Sequence, residues 1–570
     1  MRLLTLLGTA LLGISSISLS HADVTIYTAK HIRTMEPALP EATAVAVEDG
    51  RVVAVGTLDS LKPIIRLRGG KVDDRFANNV LVPGFIDPHV HPSLPAITTQ
   101  FPYIAPDDWH LPTGDFPGAK TPAAYKARLT ELAAKHTDVQ VPFIAWGYHP
   151  LWHGEIWRSD LNDWFGDQPV GLWHRSFHEL IFNDAALDML GITEAMTQEI
   201  HEANWERGHF YEGGLKAVVG QLGFLFEPAR FAKGMTNFMA MTHQAGVTTV
   251  LDMGTGVFGD PMREIAGIRA VAENYPAPTR IILTPIILDF IARGVTPANA
   301  VAEVKRWQAE NSPRVEVGNH FKLMLDGAIF SGLSQFGAPG YLDGHEGVWM
   351  APRDVTHDYA LAFWQAGFQL HAHSNGDAAT DWFLSLLETL LSEAPRADHR
   401  MTLEHFAYST EDQTRRLKAL GAAVSANPYY HYILSDMYSG DWLGPDRSSQ
   451  MSRLGSLERA DIPLALHSDN PMAPLSPLTL MWTAVQRETI NGRAGIGAEK
   501  ISRAKALRAI TIDAAWILGR ESELGSIRAG KLADFTVLSD DPMTVNLDQL
   551  PAIQVIATVY GGVPYAINRP

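Results

Sequence analysis

Through the middle of the chain, short apolar runs closed by polar clusters alternate with helix-period stretches, the pattern of repeated strand–helix units. The runs predicted as strands are Val80–Ile86, Thr248–Asp252, Arg280–Pro285, Phe321–Leu325, Phe368–His371, Met401–Leu403, Ala422–Ser425 and Pro463–Leu466. Eight such strands are what a closed (β/α)8 TIM barrel needs. Two further apolar runs, Val141–Trp146 and Val170–Trp173, fall between the first and second strands. The stretch from about 92 to 245 is read as an insertion with its own structure. The alternative is that one of these two runs is itself a barrel strand.

Both chain ends carry β-type patterning instead. Near the N-terminus it comprises VTIYTA, ATAVAVEDGRVVAVG and NNVLV, with Glu48-Asp49-Gly50-Arg51 as a hairpin turn. Near the C-terminus, Ala533–Leu538 and Val555–Tyr560 repeat the signature. The expected α/β fold is therefore a barrel over 83–514 with a small composite β-sandwich domain from 23–82 and 515–570. The first 22 residues read as a secretory signal peptide: Arg2, an apolar stretch from Leu3 to about Leu12, then Ser20-His21-Ala22 as a small-x-small cleavage site. A periplasmic or secreted protein is expected, with no membrane association after cleavage.

Composition narrows the function. A net charge of -17 repels phosphate backbones and anionic lipid, arguing against nucleic-acid and membrane-surface roles. With no cysteine, thiolate chemistry is excluded, and any metal must be held by His, Asp, Glu or a modified Lys.

Ligand-type residues recur where the predicted strands end. His89 and His91 are two apart on an extended strand, so both imidazoles share a face. That suits two ligands of one metal, although paired histidines also serve as hydrogen-bonded core residues. His371 and His373, Glu404-His405, and His467-Ser468-Asp469 close three further strands. Singly, His371 reads as a core histidine, His405 as a helix cap and Asp469 as an N-cap. Together, on one barrel face, they read as a site. Lys322 lies inside an apolar strand, where an unpaired cation is costly. It either pairs with Asp326 or carries a carbamate.

Seven segments, PGFIDPHVHP, GVTTVLDMG, FKLMLDGAIFSG, HSNGDAA, LEHF, HSDNP and ELGSIRAGKLADFTVL, occur in this order over almost the whole chain. The set resembles the amidohydrolase superfamily of metal-dependent hydrolases, and within it the amidohydrolase 3 branch (N-substituted formamide deformylase-like). The resemblance implies that His89, His91 and Asp469 bind a first divalent ion, such as Zn2+. It implies a carboxylated Lys322 as bridge, and His373 and His405 as ligands of a second ion where two are present. It also implies Asp469 as proton shuttle and His178 as a substrate-facing histidine; a packing role for His178 is the alternative. Two departures are His467, where a small residue is expected, and Ala378 in place of Arg.

The expected activity is hydrolysis of a linear, non-peptide amide or N-formyl bond of a small molecule by metal-activated hydroxide. The alternatives are the same site acting on cyclic amides or esters, and a non-catalytic periplasmic metal-binding protein. Six of the 14 Trp lie between Phe101 and His178. They build the insertion's own core or a homodimer contact, with Trp109, Trp146 and Tyr148 as candidates to line an apolar or aromatic substrate pocket. Asn183 is expected to cap a helix from Asp184.

Overall fold

The computed structural model describes residues 24–440 and 442–568. Residues 1–22, where the sequence pattern predicts a signal peptide, lie outside the described residues. No helix among them is long and apolar enough to cross a membrane.

Seven of the eight predicted runs are strands, and the first, Val80–Ile86, divides at Gly84: Val80–Pro83 joins the sheet of the chain ends. The strand beside the others is β1 (Phe85–Val90), followed by β2 (Val247–Thr255), β3 (Arg280–Pro285), β4 (His320–Met324), β5 (Gln369–Ser374), β6 (Thr402–His405), β7 (Ala423–Ala426) and β8 (Leu464–Leu466). They form two parallel sheets. One runs β1-β2-β3 with a short outer strand, Val315–Val317; the other runs β4-β5-β6-β7-β8. Isolated parallel bridges, Val90 to Asn470 and Ile286 to Lys322, join the sheets at both edges.

Strand alternation sorts the side chains. Phe321, Leu323, Leu370, Leu403, Val424 and Leu466 pack outward into the large core shared with the helices. Their alternates point the other way. At one level these are apolar: Ile86, Leu251, Ile282, Ala423 and Ala465 cluster with Ala514 and Ile517 of the helix Ile512–Ile517. Further along the same strands the alternates are Lys322, His371, His373, Glu404, Ser425 and His467, all buried. A polar layer thus stands on an apolar floor.

The runs near 141 and 170 are strands Phe143–Tyr148 and Val170–His174. They pair with each other and with antiparallel neighbours in a separate five-stranded sheet, so neither joins the eight. The two chain ends meet in one eight-stranded sheet, where Val80–Pro83 pairs with both Thr25–Arg33 and Phe535–Leu538. Asp49 and Gly50, both at positive φ, make the expected tight turn between Glu41–Glu48 and Arg51–Gly56.

Candidate active site

The residues singled out in the sequence from β1, β6 and the end of β8 converge. Asp469 Oδ1 lies 3.4 Å from His89 Nε2 and 3.1 Å from His91 Nε2. Its Oδ2 accepts a hydrogen bond from the Tyr430 hydroxyl at 3.2 Å and stands 3.6 Å from His405 Nδ1. Ring centres of His89 and His405 are 4.6 Å apart, and those of His373 and His405 4.2 Å. Two three-residue groupings bring ligand atoms within 4.8 Å of one another: His89–His91–Asp469, and His89–His405–His467. Lys322 and His373 stand beside these groupings; both line the same cavity as His89, His91, His405 and Asp469.

One of these side chains reaches the site against strand alternation: His405 shares its parity with outward Leu403, yet its φ of 78° turns the imidazole inward. Asp469 lies beyond β8 and also has a positive φ, 55°. Asp87 locks the two strand ends together, accepting from the His89 and Ser468 backbone N–H groups and, at 2.5 Å, from the Ser468 hydroxyl.

Glu404, to which the sequence pattern assigns no role, organises the site from below. Its two oxygens pair with His89 Nδ1 at 2.8 Å and His371 Nδ1 at 2.7 Å. A carboxylate at Nδ1 fixes the tautomer and turns the Nε2 lone pair of His89 toward Asp469. Burial pushes Glu404 up to about 8, against the opposing pull of Lys322. His371 also bonds His320, at 3.1 Å, and is the core histidine expected. The inward parity of Glu404 was the available signal. Tyr430, at the start of the helix Tyr429–Tyr438, carried none.

The Lys322–Asp326 pair does not form. Asp326 accepts from the backbone N–H groups of Gln335, Asn375 and Gly376. Lys322 Nζ is buried with no hydrogen-bond partner among the described residues. Burial lowers its amine to about 8, opposed by Glu404, Asp469 and Asp252. His89, His373 and His405 are driven well below the usual imidazole range, first by burial. A buried set of neutral imidazoles with an unpaired amine suits cation ligation and carbamate formation, the fit the metal reading requires.

The insertion supplies the opposite wall. His178 faces the cavity with Nδ1 3.0 Å from Glu212 Oε1. Burial pulls this imidazole down, but Glu212, Glu179 and Asp469 outweigh it and the net shift is upward. Asn183 caps the helix Asp184–Leu190, as expected. The pocket candidates are corrected. Trp109 and Trp146 pack edge-to-face inside the insertion, and Tyr148 donates to the Gly154 carbonyl; none lines the cavity. Trp173 does, its ring tilted against Phe177 at 4.5 Å between centres, with Leu94, Met253, Ile286 and Phe330 completing an apolar wall.

Comparison with known proteins agrees with this geometry. The chain is 27% identical over 549 residues to an N-substituted formamide deformylase of Arthrobacter pascens, covering 94% of this chain and 96% of that protein. It is 24% identical over 544 residues to the putative amidohydrolase YtcJ of Bacillus subtilis, covering 91% and 95%. The crystal structure of an uncharacterized metal-dependent hydrolase from Pyrococcus horikoshii shares the fold at a TM-score of 0.71 and 18% identity, over 92% of this chain and 99% of that one. The model of the Amidohydrolase family matches residues 77–566, and the chain belongs to that family.

Proposed function

We propose that the protein hydrolyses a linear amide or N-formyl C–N bond of a small molecule bearing an apolar or aromatic group. The observation that carries this reading is the meeting of His89, His91 and Asp469 beside an unpartnered Lys322. His89, His91 and Asp469 would hold one divalent ion, such as Zn2+; His373 and His405 would hold a second, with carboxylated Lys322 between. A cation held there polarises a substrate carbonyl and lowers the pKa of bound water to about 7.

The chain's own groups do the rest. Asp469 takes a proton from the attacking water and returns it to the leaving nitrogen, so C–N cleavage consumes one water and yields an acid and an amine. The Tyr430 hydroxyl holds Oδ2, which keeps Oδ1 turned toward His89 and His91. His178, steadied by Glu212, donates to the carbonyl oxygen as negative charge develops. The wall of Trp173, Phe177 and Phe330 takes the apolar substituent and excludes water.

The same reading closes the two parallel sheets into a (β/α)8 barrel, supported by the bridges at both edges and by the floor residues contributed from both sheets. It folds the terminal sheet over as a sandwich, supported by one apolar cluster that joins Val45 and Val47 to Phe535 and Val559. Domain limits at 23–82 with 515–570, and 83–514 with the insertion 92–245, follow. The N-terminal pattern supports export to the periplasm or beyond.

Metal analysis of purified protein, together with hydrolysis of N-formyl and N-acyl amines beside cyclic amides and esters, tests the reading. At least one equivalent of divalent transition metal and turnover of linear amides are expected. Turnover of the esters or cyclic amides alone, or a metal-free active protein, would overturn it.

A further inference from the structure

The cavity over His89 and Asp469 is small, about 180 Å³. A cavity of about 150 Å³ is filled by one benzene ring, so this one seats the scissile group and little more than a single ring. A second cavity of about 500 Å³ lies directly beside it, and Val219 and Phe258 line both. An aromatic row crosses from one to the other. Ring centres of Trp173 and Phe177, in the first cavity, are 4.5 Å apart, those of Phe177 and Phe258 6.3 Å, and those of Phe258 and Phe226, in the second, 5.0 Å.

The second cavity lies between the helices Pro228–Gln244 and Pro261–Ala272 and the 3₁₀ turn Gly220–Phe226. Its charged side chains each have a partner within the protein. Glu264 accepts from the Ser93 hydroxyl at 2.5 Å and from the Gly256 N–H at 2.8 Å. Arg263 donates to the Phe226 carbonyl at 2.9 Å, and Asp260 accepts from the Arg263 backbone N–H at 3.1 Å. The rest of the wall is apolar, led by Phe226, Phe231 and Phe258.

Glycines keep this space open. Gly220 and Gly223, three apart on the 3₁₀ turn and so on one face of it, both line the cavity. A Cβ at either would meet nothing within 4 Å, and neither has a positive φ, so neither packing nor backbone requires glycine there. Glycine in a helical turn is destabilising relative to alanine, and two of them here leave room that no side chain of the protein fills. On the facing helix, a Cβ at Gly267 would come within 2.8 Å of the Phe231 ring, so its absence seats that ring against the helix.

We propose that the two cavities hold one substrate, with the scissile amide in the first and the far end of an alkyl chain longer than a benzyl group in the second. The chain passes Val219 and Phe258, the two residues common to both walls. This rests on the amide-hydrolase reading above and narrows its substrate class to long-chain amides.

The test is kcat/KM over two homologous series from butyl to dodecyl chains: N-formyl n-alkylamines, with the chain on nitrogen, and N-acyl methylamines, with the chain on the carbonyl. Past hexyl, kcat/KM should rise about two- to fourfold per methylene in at least one series. Gly223→Phe and Ala270→Phe, plugs on two different elements, should each abolish that rise while N-formylbenzylamine, which fits the first cavity, is still turned over. A kcat/KM that levels off or falls past hexyl in both series, or a rise that survives both plugs, would overturn the proposal and leave the amide-hydrolase reading standing. If no amide is turned over, that reading fails, and calorimetric binding of n-alkylamines and fatty acids below their aggregation concentrations decides the second cavity alone. Affinity that climbs with chain length and is lost in the plugged variants supports it; affinity independent of chain length overturns it.

Discussion

Arg175 precedes His178 by three residues, and its guanidinium is fully buried. It forms a fork with Asp107, including Nη2 to Oδ2 at 3.0 Å, and Nη2 also reaches the Met472 carbonyl at 3.4 Å. The Tyr429 hydroxyl donates to the same carboxylate at 2.6 Å. The insertion is thus pinned to the segments after β7 and β8 through one buried ion pair. Arg175→Met strands the Asp107 carboxylate with a single hydroxyl partner, a loss of about 3–5 kcal/mol. Asp107→Leu strands the guanidinium at similar cost. The double variant removes both charges and leaves the Tyr429 hydroxyl without its partner, about 1–3 kcal/mol, together with the Met472 carbonyl, whose 3.4 Å contact with Arg175 is long and weak.

The sum of the singles therefore exceeds the double by about 3 kcal/mol or more, a coupling that a double-mutant cycle measures directly. Urea titration supplies the values, compared only where the slope of the transition is unchanged. Activity gives a second readout, because a shift of about 1 Å in the turn carrying His178 costs on the order of 10²-fold in rate. Singles within about 1 kcal/mol of wild type, or a double variant as costly as the sum, would refute the idea that this pair anchors the insertion.

Three further outcomes are expected. Asp469→Asn should lower kcat by about 10²–10⁴-fold, and full activity in that variant would refute the proton shuttle. Glu404→Gln keeps the shape but cannot accept from both His89 and His371, so metal affinity should fall by about 10–100-fold in a chelator competition. Lys531 is buried with its amine pushed down to about 8 by burial, and its Nζ donates to the Leu524 carbonyl at 3.0 Å. The folded chain then binds fewer protons there than the unfolded chain, so this group destabilises below about pH 8 and the penalty fades as pH rises toward the ordinary lysine value. Urea midpoints of Lys531→Met relative to wild type should show their largest gain near pH 7 and a smaller one near pH 10.

The eight strands were legible because each is a short apolar run whose end carries polar residues, and because strand parity needs no knowledge of partners. His89 and His91 follow from parity alone, and both Nε2 atoms do reach Asp469. The insertion was not assignable in the same way. Val141–Trp146 has the composition of a buried parallel strand, and only long-range pairing decides which sheet takes it. Trp146 and Trp173 sit opposite each other in register, yet one packs on Tyr103 and Trp109 while the other lines the cavity. Aromatic content says that rings are buried somewhere; it does not say which face of the inserted sheet looks toward the site.

The remaining gap has a conformational cause. Strand alternation predicts His405 on the outer face with Leu403, and it leaves Asp469, three residues past the end of β8, without a defined direction. Both enter the site through backbone at positive φ, 78° and 55°, and Phe177, next to His178, has φ 69°. For residues other than glycine such geometry costs about 1–3 kcal/mol and survives only where surrounding contacts overdetermine it. Here those contacts are visible: Tyr430 ties His405 to Asp469, Asp87 ties Ser468 to His89, and the Trp173 indole donates to the Phe177 carbonyl. Other positive-φ residues, such as Asp49 and Arg487, lie away from the site, but these three serve it, because a strand can present alternate residues and only a turned backbone can present an adjacent one. Tyr430→Phe should therefore loosen the side chains of His405 and Asp469 together, while the backbone bonds of Asp469 to His89 and of Asn427 to His405 keep the turns in place; activity falls, and the unfolding free energy from urea titration changes by no more than about 1 kcal/mol.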